Sequence, residues 1–297
     1  MASMRDIKRR KGSIQSTQQI TKAMKLVSTV KLQKAKQRAE QSKEYFNCMY
    51  ETVVSMLAKA GNINHPYLKA GNSEKKGIIV ITSNRGLAGG YNSNVTKLVT
   101  HGDFNKEDVM IYVIGKKGKE TFLRYGYDIR EDYSDIVEEP FYSDAMEVSA
   151  KVLDDFAKGE IGEIYLAYTG FKNTVVHEPT ILKLLPVEVD TKAAQMDAAG
   201  ADTAGTDTDD RAPMNFEPAD DEALDMIIPK YVTSLIFGGL VESVASENGA
   251  RMQAMDSATS NAEDMIDDLS LLYNRARQGS ITQELTEIIA GANAISM

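Results

Sequence analysis

From Val241 onward, small or apolar side chains recur at alternating spacings of three and four: Val241, Val244, Met255, Ala258, Ala262, Met265, Leu269, Leu272 and Ala276. That alternation averages 3.5 residues, the repeat of a coiled-coil seam rather than of a broad globular face. Asn248, Arg251 and Gly279 fall in the same register, so the seam carries polar or small interruptions near both ends. No proline follows Pro229, and the spacing predicts one helix from Tyr231 to Met297, entered through a helical restart at DDEALDMIIPKY. At roughly 1.5 Å per residue it reaches on the order of 100 Å. Such a helix must project from a body or find a partner along its length. The start of the chain supplies a second long helix. Ser3 with Asp6 is a helix-start signal, and no proline appears before Pro66. Its apolar positions Ile7, Ile14, Ile20, Met24 and Val27 drift around the helix. From Leu32 they settle into the three-four pattern through Ala35, Ala39, Phe46, Met49, Val53, Met56 and Ala60.

A different pattern fills the middle. GIIVIT (Gly77 to Thr82), VMIYVIG (Val109 to Gly115) and EIYLAYTG (Glu163 to Gly170) are short apolar runs of the kind buried in a sheet covered on both faces. Helical stretches around Asn94 to Thr100, Gly118 to Tyr125 and Ser143 to Ala157 lie between them, which implies βαβ units and a largely parallel sheet. A last strand, Thr180 to Val189, is expected at an edge, where Pro186 is tolerable. Residues 191–213 are rich in Ala, Asp, Thr and Gly and read as an acidic low-complexity surface loop. The fold class is therefore α/β. An N-terminal coiled-coil helix (1–61) and a C-terminal one (219–297) run antiparallel and flank an inserted Rossmann-like α/β domain (75–190).

Charge sharpens this picture. The net charge is -9, yet twelve of the 34 basic residues lie in the first 43, where the only acids are Asp6 and Glu40. A cationic end thus sits on an anionic body, and the whole chain is too acidic for a general nucleic-acid binder. The basic start resembles a transit peptide in composition, but the heptads continue from it without a cleavage-like break, which favours a structural role and a bacterial cytosolic origin. Cys48 alone forms no internal disulfide, and His65, His101 and His177 are too scattered for a metal site, so capping or surface roles are expected. No apolar run reaches the roughly 18 to 20 residues of a membrane span without interruption, the best being Ile227 to Val244.

The glycine-rich segment SNRGLAGGYN (Ser83 to Asn92) follows a strand and leads into a helix, the setting of a phosphate site. Its glycines, Gly86, Gly89 and Gly90, fit neither G-x-x-x-x-G-K-[ST] nor G-x-G-x-x-G, which favours a structural or partner-contact loop. Two other functional classes stay open at this point. A nucleotide-binding α/β enzyme needs the phosphate site that this spacing denies, and a basic coiled-coil nucleic-acid scaffold needs an exposed cationic surface.

Three stretches carry a family resemblance: IKRRKGSIQSTQQITKAMKLVSTVKLQKA near the start, SNRGLAGGYN after the first strand, and YNRARQGSITQELTEIIAGA near the end. Over essentially its whole length the chain resembles the gamma subunits of F-type ATP synthases, with Ile281, Thr282, Glu284, Glu287, Gly291 and Ala292 at the spacing of the family signature. Ala88 stands where many members have cysteine, and Asn248-Gly249 where a histidine-alanine type of pair is usual. The resemblance implies a non-catalytic rotor shaft without cofactors or metals, turning inside a ring of alternating alpha and beta subunits. It also implies contacts with epsilon and the membrane-embedded c-ring, and a peripheral location on the cytoplasmic side of a bacterial membrane. Carried over residue by residue, it points to Met24, Arg251, Arg277, Gln278, Thr282, Glu284 and Glu287 as beta-subunit contacts. Asn84, Arg85, Gly86 and Tyr91 are expected on a loop facing the c-ring and epsilon.

Overall fold

The computed structural model describes residues 4–59, 65–71, 73–187 and 220–295. The acidic stretch 191–213 and Ala60 lie outside them. Two compact units divide the chain: Met1–Thr29 with Arg251–Met297, and Val30–Ala250. The two long helices, α1 (Met4–Lys59) and α5 (Asp220–Ile295), contribute to both.

The larger unit holds a five-stranded sheet in the order β3-β2-β1-β4-β5. In chain order the inserted elements are β1 (Lys76–Ile81), α2 (Tyr91–Thr100), β2 (Val109–Ile114), α3 (Lys116–Tyr125), β3 (Asp128–Asp132), α4 (Tyr142–Ala157), β4 (Glu163–Phe171) and β5 (His177–Leu185). All pairings are parallel except β4 with β5. The apolar runs are two-sided, as expected of covered parallel strands. Ile79, Ile81, Tyr112, Ile114, Leu166 and Tyr168 pack with α1, α4 and α5, while Ile78, Val80, Ile111 and Val113 pack with Val95, Val99 and Phe122 of α2 and α3. β5 closes one edge, as expected, but starts three residues early at His177. Pro179 pairs with Thr169 within it, and the strand stops before the cis peptide to Pro186.

The other edge, β3, has no apolar run. Its sequence DIRED alternates exposed and half-buried positions, so hydrophobic pattern alone misses it. Arg130 supplies its anchor. The guanidinium donates to Asp155 of α4, and the Asp155 carboxylate, fully buried, also accepts from the Tyr112 hydroxyl (2.6 Å) and from Lys151 (3.1 Å).

Gly115 is where α3 turns off β2. Its φ is +106°, and a Cβ there would lie 2.2 Å from the Thr82 carbonyl oxygen. The Thr82 hydroxyl bonds the carbonyls of Ile114 and Gly115 and accepts from Gly118 N–H, so this turn cannot shift cheaply. Gly115→Ala is expected to cost about 3 kcal/mol or more in urea unfolding. Gly159→Ala, at φ +74° with open space around it, is expected to cost only about 1 kcal/mol.

α5 runs through Pro229 without a break. Against the sequence expectation, it contains an 18-residue stretch apolar enough by length and composition for a membrane span, and 61% of that stretch is buried inside the protein. Ile228, Val232, Leu235, Ile236 and Leu240 explain this, because they join the core on the α1/α4 side of the sheet.

In the smaller unit, α1 and α5 are antiparallel. Thr21 Oγ1 meets Thr259 Oγ1 at 2.8 Å, and one turn later along α1 Lys25 meets Asp256 at 2.5 Å, one turn earlier along α5. The seam here repeats in sevens. Ile7, Thr21 and Ser28 are buried on α1 with Ile14 half-buried between them, and Met255, Ala262, Leu269 and Ala276 line α5. The drift of apolar positions before Leu32 is thus resolved: Ile20 and Val27 point to solvent, and small hydroxyl residues hold the seam. Two expected seam residues are corrected. Met265 and Leu272 are 45% and 49% exposed, since they fall between the sevens that face α1. A half-exposed leucine has little cavity to leave behind. Leu272→Ala is accordingly expected to cost about 1 kcal/mol, rather than the several of a core truncation, when read from urea midpoints.

Candidate functional site

The last turns of α5 are bare. Every described residue from Ile281 to Asn293 is exposed, and Ile281, Leu285 and Ile288 at spacings of four and three form an apolar stripe, joined by Ile289. Stripes of this kind mark surfaces built to be covered. Thr282, Glu284 and Glu287 lie on this exposed segment, and Arg277 and Gln278, also exposed, lie just before it. Gln278 and Thr282 share a face, because the Thr282 hydroxyl donates to the Gln278 carbonyl (2.9 Å). That bond uses the only hydroxyl proton, so Thr282 presents an acceptor to any partner. Glu287 is held by Gln283 Nε2 at 3.0 Å, four residues earlier. Arg277 stands about 100° round from Gln278, with its guanidinium fork in solvent. Between the stretch of α5 from Leu269 to Gln283 and the start of α1 runs a groove of about 1150 Å³, lined by the apolar Ile7, Leu269 and Leu272 and the cationic Arg9, Arg10 and Arg275.

Met24 and Arg251 are both half-buried. The Lys25–Asp256 contact sets Met24 beside the seam, where seam packing and partner contact are both open to it.

The glycine-rich loop lies at the carboxyl edge of the sheet and is tied down rather than open. Asn84 donates to the Ser134 carbonyl (2.8 Å) and accepts from Lys116 N–H (3.0 Å), while Asn92 Oδ1 accepts from Ser83 N–H (2.9 Å). Asn84 is therefore a clamp across three segments. Tyr91, expected on the contact surface, is buried at the first turn of α2 and belongs to the packing. Arg85, Gly86 and Leu87 form the exposed tip, with Leu87 at φ +63° and 64% exposed. Arg85 reaches Glu138 (3.5 Å), and the neighbouring Glu139 takes Lys34 and Arg38 of α1, whose cations draw its carboxyl below the usual range.

In an open α/β sheet a ligand binds where the strand order reverses, here between the carboxyl ends of β1 and β4. α5 side chains reach the β4 side of that position. Ser246 donates its hydroxyl to the Thr169 carbonyl (3.1 Å), Ser243 Oγ lies 3.5 Å from Thr169 N, and Glu242 accepts from Phe171 N–H. These polar contacts on an otherwise apolar helix occupy backbone groups at the carboxyl end of β4. Sequence reasoning missed them because serines in a long helix carry no pattern of their own. The histidines divide: His65 is buried, caps a short turn through Tyr67 N–H and meets Asp225, His101 is exposed, and His177 is half-buried. Among the described residues no group of His, Cys, Asp or Glu is arranged to hold a metal ion.

Two long antiparallel helices with an α/β insert between them define the structural class of the protein. The family model described as ATP synthase matches residues 3–295. The chain is 67% identical over 297 residues to the ATP synthase gamma chain of Lachnoclostridium phytofermentans, covering all of both chains. It is 40% identical over 299 residues to the sodium ion specific ATP synthase gamma chain of Acetobacterium woodii, covering 99% of each. Among solved structures, a chain of the Euglena gracilis mitochondrial ATP synthase (OSCP/F1/c-ring, rotational state 3) aligns over 98% of this chain and 94% of its own. The TM-score is 0.66 at 19% identity, so this likeness speaks for the fold. The chain belongs to the ATP synthase gamma chain family. It is the rotor-shaft subunit of that complex, has no catalytic site of its own, and is peripheral to the membrane.

Proposed function

We propose that α1 and α5 turn inside a ring of alternating alpha and beta subunits, and that the exposed end of α5 is the part the ring encloses. The observation that carries this is the bare apolar stripe Ile281, Leu285 and Ile288, which a surrounding sleeve would cover without gripping a fixed register. A single shaft in a three-fold ring presents a different face to each catalytic site, and each face biases its site only through differential contact energy. Moving a site from 1:99 to 99:1 between two conformations takes roughly 5.5 kcal/mol, which a few polar and charged contacts supply. Arg277, Gln278 and Thr282, with Glu284 and Glu287 beside them, are the upper set of such contacts, and Met24 and Arg251 a lower one. The cationic first helix complements acidic beta-subunit loops, where opposite charge attracts without imposing register.

The insert carries the epsilon and c-ring contacts on the cytoplasmic side of a bacterial membrane. Within it, Arg85 and Gly86 are level with Lys34 and Arg38 of α1 through Glu138 and Glu139. The amino edge of the sheet, where Gly71 meets Gly162 and His65 meets Asp225, is the opposite end. We therefore assign the c-ring side to that amino edge and the Arg85–Leu87 tip to the shaft side, reversing the placement that the resemblance suggested for this loop. Reconstitution with wild-type alpha and beta subunits tests the shaft reading. One copy of this chain for three of each, with ATP hydrolysis absent from the isolated chain, is expected. Failure to enter the ring, or turnover by the chain alone, contradicts it.

A further inference from the structure

Of the four buried side-chain atoms that lack a hydrogen-bonding partner among the described residues, three fall in one place: Thr169 Oγ1 and both ring nitrogens of His177. Phe171 pairs with His177 and Thr169 with Pro179 in the β4–β5 ladder, which sets Thr169 and His177 two rungs apart, with the Gly170–Glu178 pair between them. Both meet α5 within one turn. Ser246 bonds the Thr169 carbonyl, and a Cβ on Gly249 would lie 2.6 Å from His177 Cε1. The imidazole thus occupies the space that any side chain at position 249 would take. Phe171 lies beside it, with ring centroids 5.9 Å apart. Among the charged groups around it, Glu242 of α5 accepts from Phe171 N–H, Lys172 and Glu178 of the hairpin pair at 2.8 Å, and Glu247 and Arg251, which flank Gly249, each have an interaction.

We propose that His177 is a proton-controlled wedge: neutral, it seals the β4–β5 hairpin against α5 at Gly249, and charged, it leaves that seat and uncovers the helix. An imidazolium whose two ring nitrogens are both shut off from solvent is disfavoured, whereas the neutral ring fills the gap over a helix-interior glycine that has no side chain to shield its own turn. Burial pushes the His177 pKa down, with the backbone of Thr174 only partly opposing it. The sign follows from that direction. The wedge is in place above the ordinary histidine value, near 6.5, and is lost as pH falls through the lower folded value. Gly249 stands one residue before the boundary at Ala250, so the uncovered turn is the last one of α5 inside the larger unit.

The test uses the full chain with labelled histidine and hydrogen exchange of the Ser243–Met252 segment at about pH 7.5 and about pH 5.5, corrected for chemical exchange. His177 is expected to titrate below about 6.5, and exchange at the Gly249 turn to rise about tenfold or more on acidification. His177→Phe, which keeps a ring that cannot be charged, should abolish the rise. Gly249→Ala, which shuts the ring out, should show the fast exchange at both pH values. If His177 titrates at or above its ordinary value, or if the rise persists in His177→Phe, the proposal is overturned. His177→Phe keeps the test decisive even where Gly249→Ala fails to fold.

Discussion

Asp155→Ala is expected to lower the unfolding free energy of the chain by about 3 kcal/mol, as measured by urea denaturation. The carboxylate is fully buried and joins Arg130 of β3, Lys151 of α4 and the buried Tyr112 hydroxyl of β2. Removing it leaves the Tyr112 hydroxyl with the weak acceptor Met110 Sδ at 3.8 Å and releases the buried charge that draws Arg130 inward. The loss falls at the lower end for a broken buried pair, because Arg130 and Lys151 are about one-third exposed and regain water, and Arg130 keeps Glu160. Burial alone would raise the Asp155 pKa. The hydrogen bonds from Arg130, Tyr112 and Lys151 outweigh it and hold the carboxyl down at about 2. Its contribution is therefore present above the ordinary carboxylate value, near 4, and is lost as pH falls towards 2. Asp155→Asn should flatten the acid limb of stability against pH in that window, while Glu160→Gln should leave most of it.

Arg277→Ala is expected to slow ATP turnover of the reconstituted complex by about ten- to a hundredfold, with complex yield unchanged. That is the effect of losing one charge-assisted hydrogen bond of about 1.5 to 3 kcal/mol made in one rotational position only. Gln278→Leu removes a neutral bond and should cost about two- to tenfold. Both side chains are exposed and off the seam, so neither change should unfold the chain. The measurement pairs complex yield with turnover for each variant. Normal assembly with wild-type turnover would remove Arg277 and Gln278 from the contact surface. Leu272→Ala is the control, touching the edge of the seam and neither contact.

Much of the fold was legible in the sequence, for a physical reason that differs by element. β1, β2 and β4 announce themselves because a strand covered on both faces must be apolar at nearly every position, and Ile78 to Ile81 and Val109 to Ile114 are. The two long helices are legible because their apolar positions keep a helical period for dozens of residues without proline. The signature around Ile281 to Ala292 made the family readable in the chain itself. Arg277, Gln278, Thr282, Glu284 and Glu287 are all exposed, as a contact role requires.

Other features were decided only by tertiary structure, since they depend on which distant residue arrives opposite. β3 is a strand because Arg130 finds a buried carboxylate 25 positions later, not because DIRED has any strand pattern of its own. Thr21 and Ser28 belong to the seam because two thin helices meet closely enough for Thr21 to touch Thr259, where an apolar-position count looks for larger side chains. The carboxyl end of β4 is met by Ser243 and Ser246 from the far end of the chain, and Tyr91 is core because α2 folds back over the loop before it. Hydrophobic periodicity records how each element meets solvent and core. Hydrogen-bonded and ion-paired contacts across the chain leave no periodic trace, so their places follow only once the elements are packed.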